Sequence, residues 1–220
     1  PDNVSQGELR TRGDRSLEGT PRFPCTEWII SLVPSGSSTA PADPLPTMSA
    51  WADRPLRTAT LLFFDLETTA LRPDRGGRIC EMAVVDEQGI QFHWRSDAAP
   101  PRDDAVATRL PRLIDHLEAG VVVGHNLPFD FRFVTYEAER LGLDSLGLRF
   151  ADTLGLARSL LDGPDTHQLG TLLGHFNAAP GEELHTAVGD ALATRTLFWH
   201  LVEHGGLRTL ADIDVQRLQW

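Results

Sequence analysis

Leu61-Leu62-Phe63-Phe64-Asp65-Leu66-Glu67-Thr68-Thr69 is the stretch on which the reading of this chain turns. A run of large apolar residues that ends in acidic and hydroxyl side chains describes a buried strand running out into a polar loop. Side chains two apart on a strand share a face, so Asp65 and Glu67 project together while Leu66 points the other way into apolar packing. Two adjacent carboxylates repel each other. A divalent cation removes that repulsion, and hard oxygen donors of this kind suit Mg²⁺ or Mn²⁺. On its own, the stretch is described equally well as a solvated Asp and Glu at a strand end.

The same grammar returns further on. Val121–Val123 is a short β-branched strand, Gly124 to Pro128 a turn, and Phe129 to Leu141 a helical pattern closed by Gly142. Asp130 is thereby placed in the first turn of a helix, where the helix dipole alone favours an acidic residue. A third segment, "ELHTAVGDA", sets His185 and Asp190 five residues apart, a spacing that does not share a helix face. Both reach one site only if His185 lies in the loop before the helix. Pro180-Gly181 ahead of it, and an apolar stripe through Ala187, Val188, Ala191, Leu192, Leu197, Phe198 and Leu201 up to Gly205-Gly206, support that placement. A loop histidine titrating near neutrality suits a general base for water. Taken together, Asp65, Glu67, Asp130, Asp190 and His185 look like a two-metal phosphodiesterase site.

The order Asp-x-Glu, His-Asn-x-x-Phe-Asp, His-x-Ala-x-x-Asp resembles the DEDDh 3′-to-5′ exonucleases, the family that includes the proofreading epsilon subunit of bacterial replicative DNA polymerase. The resemblance runs from about Leu61 to about Val202. "ICEMAVV" (Ile79 to Val85) is similar to that family's second strand, and "FADTLGLARSLL" (Phe150 to Leu161) to its later strand, turn and helix. It implies an α/β fold of the ribonuclease-H-like kind, a mixed sheet flanked by helices; composition and periodicity alone give only an α/β domain. It also implies two Mg²⁺ or Mn²⁺ ions per site. Asp65, Glu67 and Asp190 would hold one, Asp65 would also touch the second, and Asp130 would support the second through water. His185 would take the proton of the attacking water. Thr68, Thr69, Leu71 and Asn126 would contact the terminal nucleotide of a single-stranded 3′ end, and the products would be nucleoside 5′-monophosphates.

The chain departs from the family pattern in two places. Ala70 stands where Gly usually follows Glu-Thr-Thr, which would alter the turn if positive φ were needed there. The segment between Val85 and Pro111 is short, and is expected to lack both the usual long hairpin and the Pro and His-Gly-Ile elements before the next helix. Strand polarity, length preference and processivity depend on that segment; the metal ligands do not.

A chain of 220 residues, 41% hydrophobic and 23% charged, buries one good core and hardly two. The expected organisation is an extension or disordered stretch over 1–56, an exonuclease domain over 57–206 and a short tail over 207–220 that packs as a last helix or stays loose. The formal net charge of −11 argues against tight, extended nucleic-acid binding, since phosphates call for a basic surface. It leaves room for an enzyme that grips a few terminal nucleotides with the help of bound cations. All 20 basic residues are arginine, as a GC-rich genome would give. Arg72, Arg75 and Arg78 form either a small phosphate-facing patch or a solvated loop. Cys25 and Cys80 make no metal spacing and no disulfide framework, so a reducing cytoplasm is the default location.

Residues 1 to 24 are polar, Cys25 to Val33 briefly apolar, and Pro34 to Pro46 rich in Pro, Ser, Ala and Gly, as in a linker. The apolar stretch is too short to span a membrane. Met48 is the expected natural start; otherwise the leading segment is a tail that recruits a partner, with Trp28-Ile29-Ile30 as its anchor. A freestanding nuclease is expected ahead of one bound stably to a polymerase, and oligomeric state is left open. Two alternatives stand beside this reading: an exonuclease acting on RNA, and a binding module that keeps the fold without activity. His200 and His204 are four apart, a spacing that can bind zinc, although a surface pair at a helix end is the simpler account. Trp94 and Trp199 stack on bases or, more commonly for such positions, fill the core.

Overall fold

Leu61–Thr68 forms β1, an inner strand of a six-stranded sheet ordered β3-β2-β1-β4-β5-β6 in the computed structural model. The structure describes residues 51–143, 147–164, 166–179 and 184–218. The expectations for Met48, for Trp28-Ile29-Ile30 and for Cys25 lie outside those residues.

Strand β1 pairs antiparallel with β2 (Ile79–Val85) and parallel with β4 (Val121–Gly124). Outward from these, β3 (Ile90–Arg95) runs antiparallel to β2, β5 (Leu148–Asp152) parallel to β4, and β6 (Gln216–Leu218) antiparallel to β5. The sheet is therefore mixed, with helices on both faces, as expected. Its inner strands β1, β2 and β4 are covered on both sides, which is why they read as continuous apolar runs. Edge strand β3 instead alternates exposed and half-buried residues.

Leu62, Phe64, Leu66, Met82 and Val84 face helices α1 (Asp103–Glu118) and α2 (Leu127–Arg140). Leu61, Phe63, Ala83 and Val85 face helix α5 (Ala187–Gly205), and Phe63 meets Phe198 edge-on at 5.6 Å between ring centroids. Helices α3 (Thr153–Leu160) and α4 (Leu169–His175) pack on the outer side of α5 through Leu172, Leu173, Leu197 and Leu201. Alternation then fixes the site: Asp65 and Glu67 share the face of Phe63 and look toward α5. Gly120, at the α1–β4 junction, lies so close to β1 that a Cβ there would sit 2.4 Å from the Thr60 carbonyl oxygen.

One expectation is corrected, that for the last segment. The segment after Val85 holds a short hairpin: β2 turns at Asp86, whose Oδ1 accepts the N–H groups of Gln88 at 2.7 Å and Gly89 at 3.0 Å. Helix α5 clamps that turn, since Arg195 Nη1 donates to the Asp86 carbonyl and Trp199 Nε1 to Glu87 Oε1. Helix α1 then starts at Asp103 and runs through Pro111, so much of the apparently shortened linker is regular structure. From Leu207 to Leu218 the chain is neither a last helix nor loose. Leu210–Ile213 is a 3-10 turn closed by a Thr209/Asp212 capping box, with Leu210 and Ile213 buried, and β6 follows as an edge strand. Ahead of β1, the buried Leu56 donates its N–H to the Arg208 carbonyl at 2.9 Å, so residues on both sides of the expected 57–206 span belong to one packed layer.

Candidate metal and active site

Carboxylate oxygens of Asp65, Glu67 and Asp190 all lie within 4.8 Å of one another. Strand alternation supplies the first two and the first turn of α5 the third. Among the described residues this is the one group of acidic, histidine or cysteine side chains with metal-holding spacing. Electrostatics agree with the geometry. Burial pushes the Asp65 carboxyl well above the usual range, and the negative charges of Asp130, Asp190, Glu67 and Glu81 push it further. Glu67 is raised by burial, then by Asp190 and Glu81, with His185 and Arg95 pulling the other way. Asp190 is raised by burial against the opposing pull of His185. Crowded carboxylates that resist ionising are what a cation would relieve.

Asp130 sits behind this trio in the first turn of α2, 4% exposed, and its Oδ1 accepts the Leu66 N–H at 3.0 Å. Burial raises it well above the ordinary carboxylate range, although that hydrogen bond works in the opposite direction.

His185 lies in the loop ahead of α5, as its spacing predicts. Its backbone is left-handed at φ +70°, it is exposed, and its N–H donates to Asp190 Oδ1 at 3.3 Å. Thr186 caps the helix, its hydroxyl oxygen accepting the Gly189 N–H at 3.0 Å. The left-handed residue turns the chain back on its own helix, which is how positions five apart come together.

The expected substrate contacts are distributed around this centre. Thr68 Oγ1 donates to the Ala70 carbonyl and Thr69 Oγ1 accepts the Arg78 N–H, both at 3.0 Å, so both hydroxyls hold the loop that presents Leu71, 77% exposed. Ala70 is not among the positive-φ residues, so the turn has no need of glycine there. Asn126 is the N-cap of α2, exposed and left-handed at φ +68°. Of the three arginines after the first motif, Arg72 is paired with Asp74 in the exposed loop and Arg78 with Glu137 and Asp103.

Three residues carry weight that the sequence reading missed. Asp152 Oδ1 accepts the N–H groups of Asn126 at 2.8 Å and Leu154 at 3.1 Å, tying the second motif to α3. Buried Thr153 donates to the Gly124 carbonyl and meets His125 Nδ1 at 2.9 Å, while His125 Nε2 donates to the His167 carbonyl. His125 thus ties the loop of the second motif to Thr153 and to the His167 backbone, and burial lowers its pKa. Glu81, 3% exposed on β2, stands opposite Glu67; the single charge inside "ICEMAVV" was its signal. Elsewhere, Trp94 packs against the core, and His200 and His204 lie around the Phe176 ring rather than in a metal cluster. No helix among the described residues is long and apolar enough to cross a membrane.

No protein-family model matches the chain. It is 31% identical to a DNA polymerase III PolC-type protein of Oceanobacillus iheyensis, over 73% of this chain and 13% of that protein, so the chain spans a small part of that relative. Among solved structures it superposes on exonuclease X in complex with 5′-overhanging duplex DNA, with a TM-score of 0.50 and 22% identity, covering 70% of this chain and 98% of that one. It also superposes on Pop2p of S. pombe in its Mg²⁺- and Mn²⁺-bound form, with a TM-score of 0.50 and 11% identity over 67% and 84% of the two chains. At these identities the superpositions show a common fold, and that fold is ribonuclease-H-like. With its three motifs in order on that fold, the chain is similar to a small part of the PolC-type relative and resembles the DEDDh exonucleases.

Proposed function

We propose that this chain is a metal-dependent 3′–5′ exonuclease that hydrolyses the last phosphodiester of a single-stranded nucleic acid, DNA before RNA, and releases nucleoside 5′-monophosphates. The observation that carries the reading is the Asp65–Glu67–Asp190 oxygen cluster within 4.8 Å. Its buried, mutually repelling carboxylates fit a hard divalent cation, the same kind of ion that Pop2p binds on this fold.

Asp65, Glu67 and Asp190 would hold one Mg²⁺ or Mn²⁺, and Asp65 with Asp130 in support would serve a second. Bound in a pair, such ions stabilise charge on the entering and leaving oxygens of an in-line displacement. His185 takes the proton of the attacking water at an imidazole nitrogen, and its loop position lets it approach the site from the solvent side. The loop of Thr68, Thr69 and Leu71 lies against the terminal nucleotide, and exposed Asn126 faces it from the start of α2. The DNA preference rests on the DNA polymerase relative and on the DNA bound to exonuclease X.

Mass spectrometry of the products formed from a single-stranded DNA and its RNA counterpart with Mg²⁺ tests this reading. Mononucleotides bearing a 5′-phosphate, formed faster from DNA, are expected. Products bearing a 3′-phosphate, or no products from either strand, would overturn it; in the second case the non-catalytic binding module takes its place.

A further inference from the structure

The register of three strands carries the row of charges beyond the metal trio. Glu67 stands opposite Glu81, and Glu81 opposite Arg95; Asp65 stands opposite Ala83, and Ala83 opposite His93. Register partners share a sheet face, so His93 and Arg95 lie on the α5 side with Asp65 and Glu67. At ~4.8 Å between neighbouring strands, Arg95 is about 10 Å from Glu67 along the sheet.

Glu81 is the hub of this row. It is 3% exposed, its Oε1 accepts His93 Nε2 at 2.8 Å, and Arg95 Nε lies 3.8 Å from its Oε2. The two basic side chains remain open, with 40% of His93 and 64% of Arg95 accessible. Among the described residues, the Arg95 guanidinium meets no carboxylate nearer than 3.8 Å. It is also the arginine whose charge is felt at Glu67 and at Cys80. Arg72 and Arg78, near in sequence to the first motif, are committed to carboxylates instead. In a chain of net charge −11, an open cation fixed beside the acidic centre by a buried carboxylate is placed for an anion.

We propose that Arg95, with His93 beside it, binds a second backbone phosphate of the substrate strand, and that Glu81 is the positioning residue that holds the pair. The inference rests on the exonuclease reading. Because only the last linkage is cut, every further phosphate lies on its 5′ side, so Arg95 grips the strand behind the scissile bond.

The test compares a DNA trinucleotide with the p-nitrophenyl ester of thymidine 5′-monophosphate, which has a single phosphodiester. Arg95→Ala is expected to lower the ratio of kcat/KM, trinucleotide over ester, by about tenfold, chiefly through KM. Arg95→Lys recovers part of it, and Arg217→Ala, on the opposite edge strand, leaves it unchanged. Anisotropy of a labelled single strand in Ca²⁺ should show the salt slope of Arg95→Ala reduced by about 0.7. An equal loss on both substrates, or an unchanged salt slope, would overturn the second phosphate position while leaving the exonuclease intact. Wild-type protein that cleaves neither substrate would overturn the exonuclease reading and this inference with it.

Discussion

Asp130 Oδ1 accepts the backbone N–H of Leu66 at 3.0 Å, so the acidic residue of the second motif is bonded to the peptide between the two carboxylates of the first. Leu66 is 5% exposed and Asp130 4%, and no solvent replaces this contact if it is lost. In the proposed site one residue would serve both the fold and the chemistry, and substitutions can separate the two.

Asp130→Ala leaves a buried N–H unpaired and should cost about 1–3 kcal/mol, measured by chemical denaturation. Asp130→Asn retains an acceptor oxygen and removes a buried carboxyl, so at neutral pH it should be at least as stable as wild type while losing most of its activity. Equal destabilisation by Ala and Asn would refute the assignment of the hydrogen bond as the structural role.

The metal-free protein should become less stable as pH rises from the ordinary carboxylate range toward neutrality. Asp65 and Asp130 are raised well above that range, foremost by burial, so the folded chain keeps protons that the unfolded chain has released. Stability from that preference is complete below an unfolded pKa of ~4 and is lost as pH climbs through the folded values. Divalent metal binds the ionised form, so the rise in Tm produced by Mn²⁺ should grow over the same interval. Asp65→Asn should raise the Tm of the metal-free protein at neutral pH, at about 2–4 °C per kcal/mol, and abolish the response to metal. A Tm that climbs with pH in EDTA would contradict this.

His185→Ala should lower kcat by about 10²–10⁴ with Mn²⁺ binding retained. Because φ is +70° at this position, His185→Gly should melt above His185→Ala and yet be no more active. Recovery of activity in the glycine variant would show that loop geometry, rather than the imidazole, limits the rate.

Glu137 is fully buried and accepts Arg78 Nε at 3.1 Å and Arg140 Nε at 2.8 Å. Arg78 in turn is bonded twice to Thr69, whose N–H donates to the Arg78 carbonyl at 2.9 Å and whose Oγ1 accepts the Arg78 N–H at 3.0 Å. Glu137→Ala should cost about 3–5 kcal/mol and raise KM for short oligonucleotides, because the loop bearing Leu71 loses its anchor. Denaturation and steady-state kinetics on one preparation check both; a destabilised variant with unchanged KM would disconnect the ion pair from the loop.

Strand β1, the loop position of His185 and the helix bearing Asp190 were legible because alternation and helical period act locally. The facing of Asp65 and Glu67 follows from two-residue spacing, and the turn at His185 from a spacing that no helix face allows. What was not legible depends on partners remote in sequence. The bond from Leu66 to Asp130 spans 64 positions, and Arg78 finds Glu137 across 59. The short hairpin after Val85 is hard to read because β3 is an exposed edge strand without a continuous apolar run. The final segment looked loose because β6 has only three residues and takes its order from β5.

In the proposed function the Asp65, Glu67 and Asp190 cluster holds the metal on which 3′–5′ exonuclease activity depends. A time course on 5′-labelled single-stranded DNA, with Mg²⁺, Mn²⁺ or EDTA and with Asp190→Ala in parallel, is the decisive measurement. A ladder shortening from the 3′ end is expected with metal and is expected to be absent in EDTA and in the variant. A ladder that persists in EDTA or in Asp190→Ala, or intact label under every condition, would contradict it.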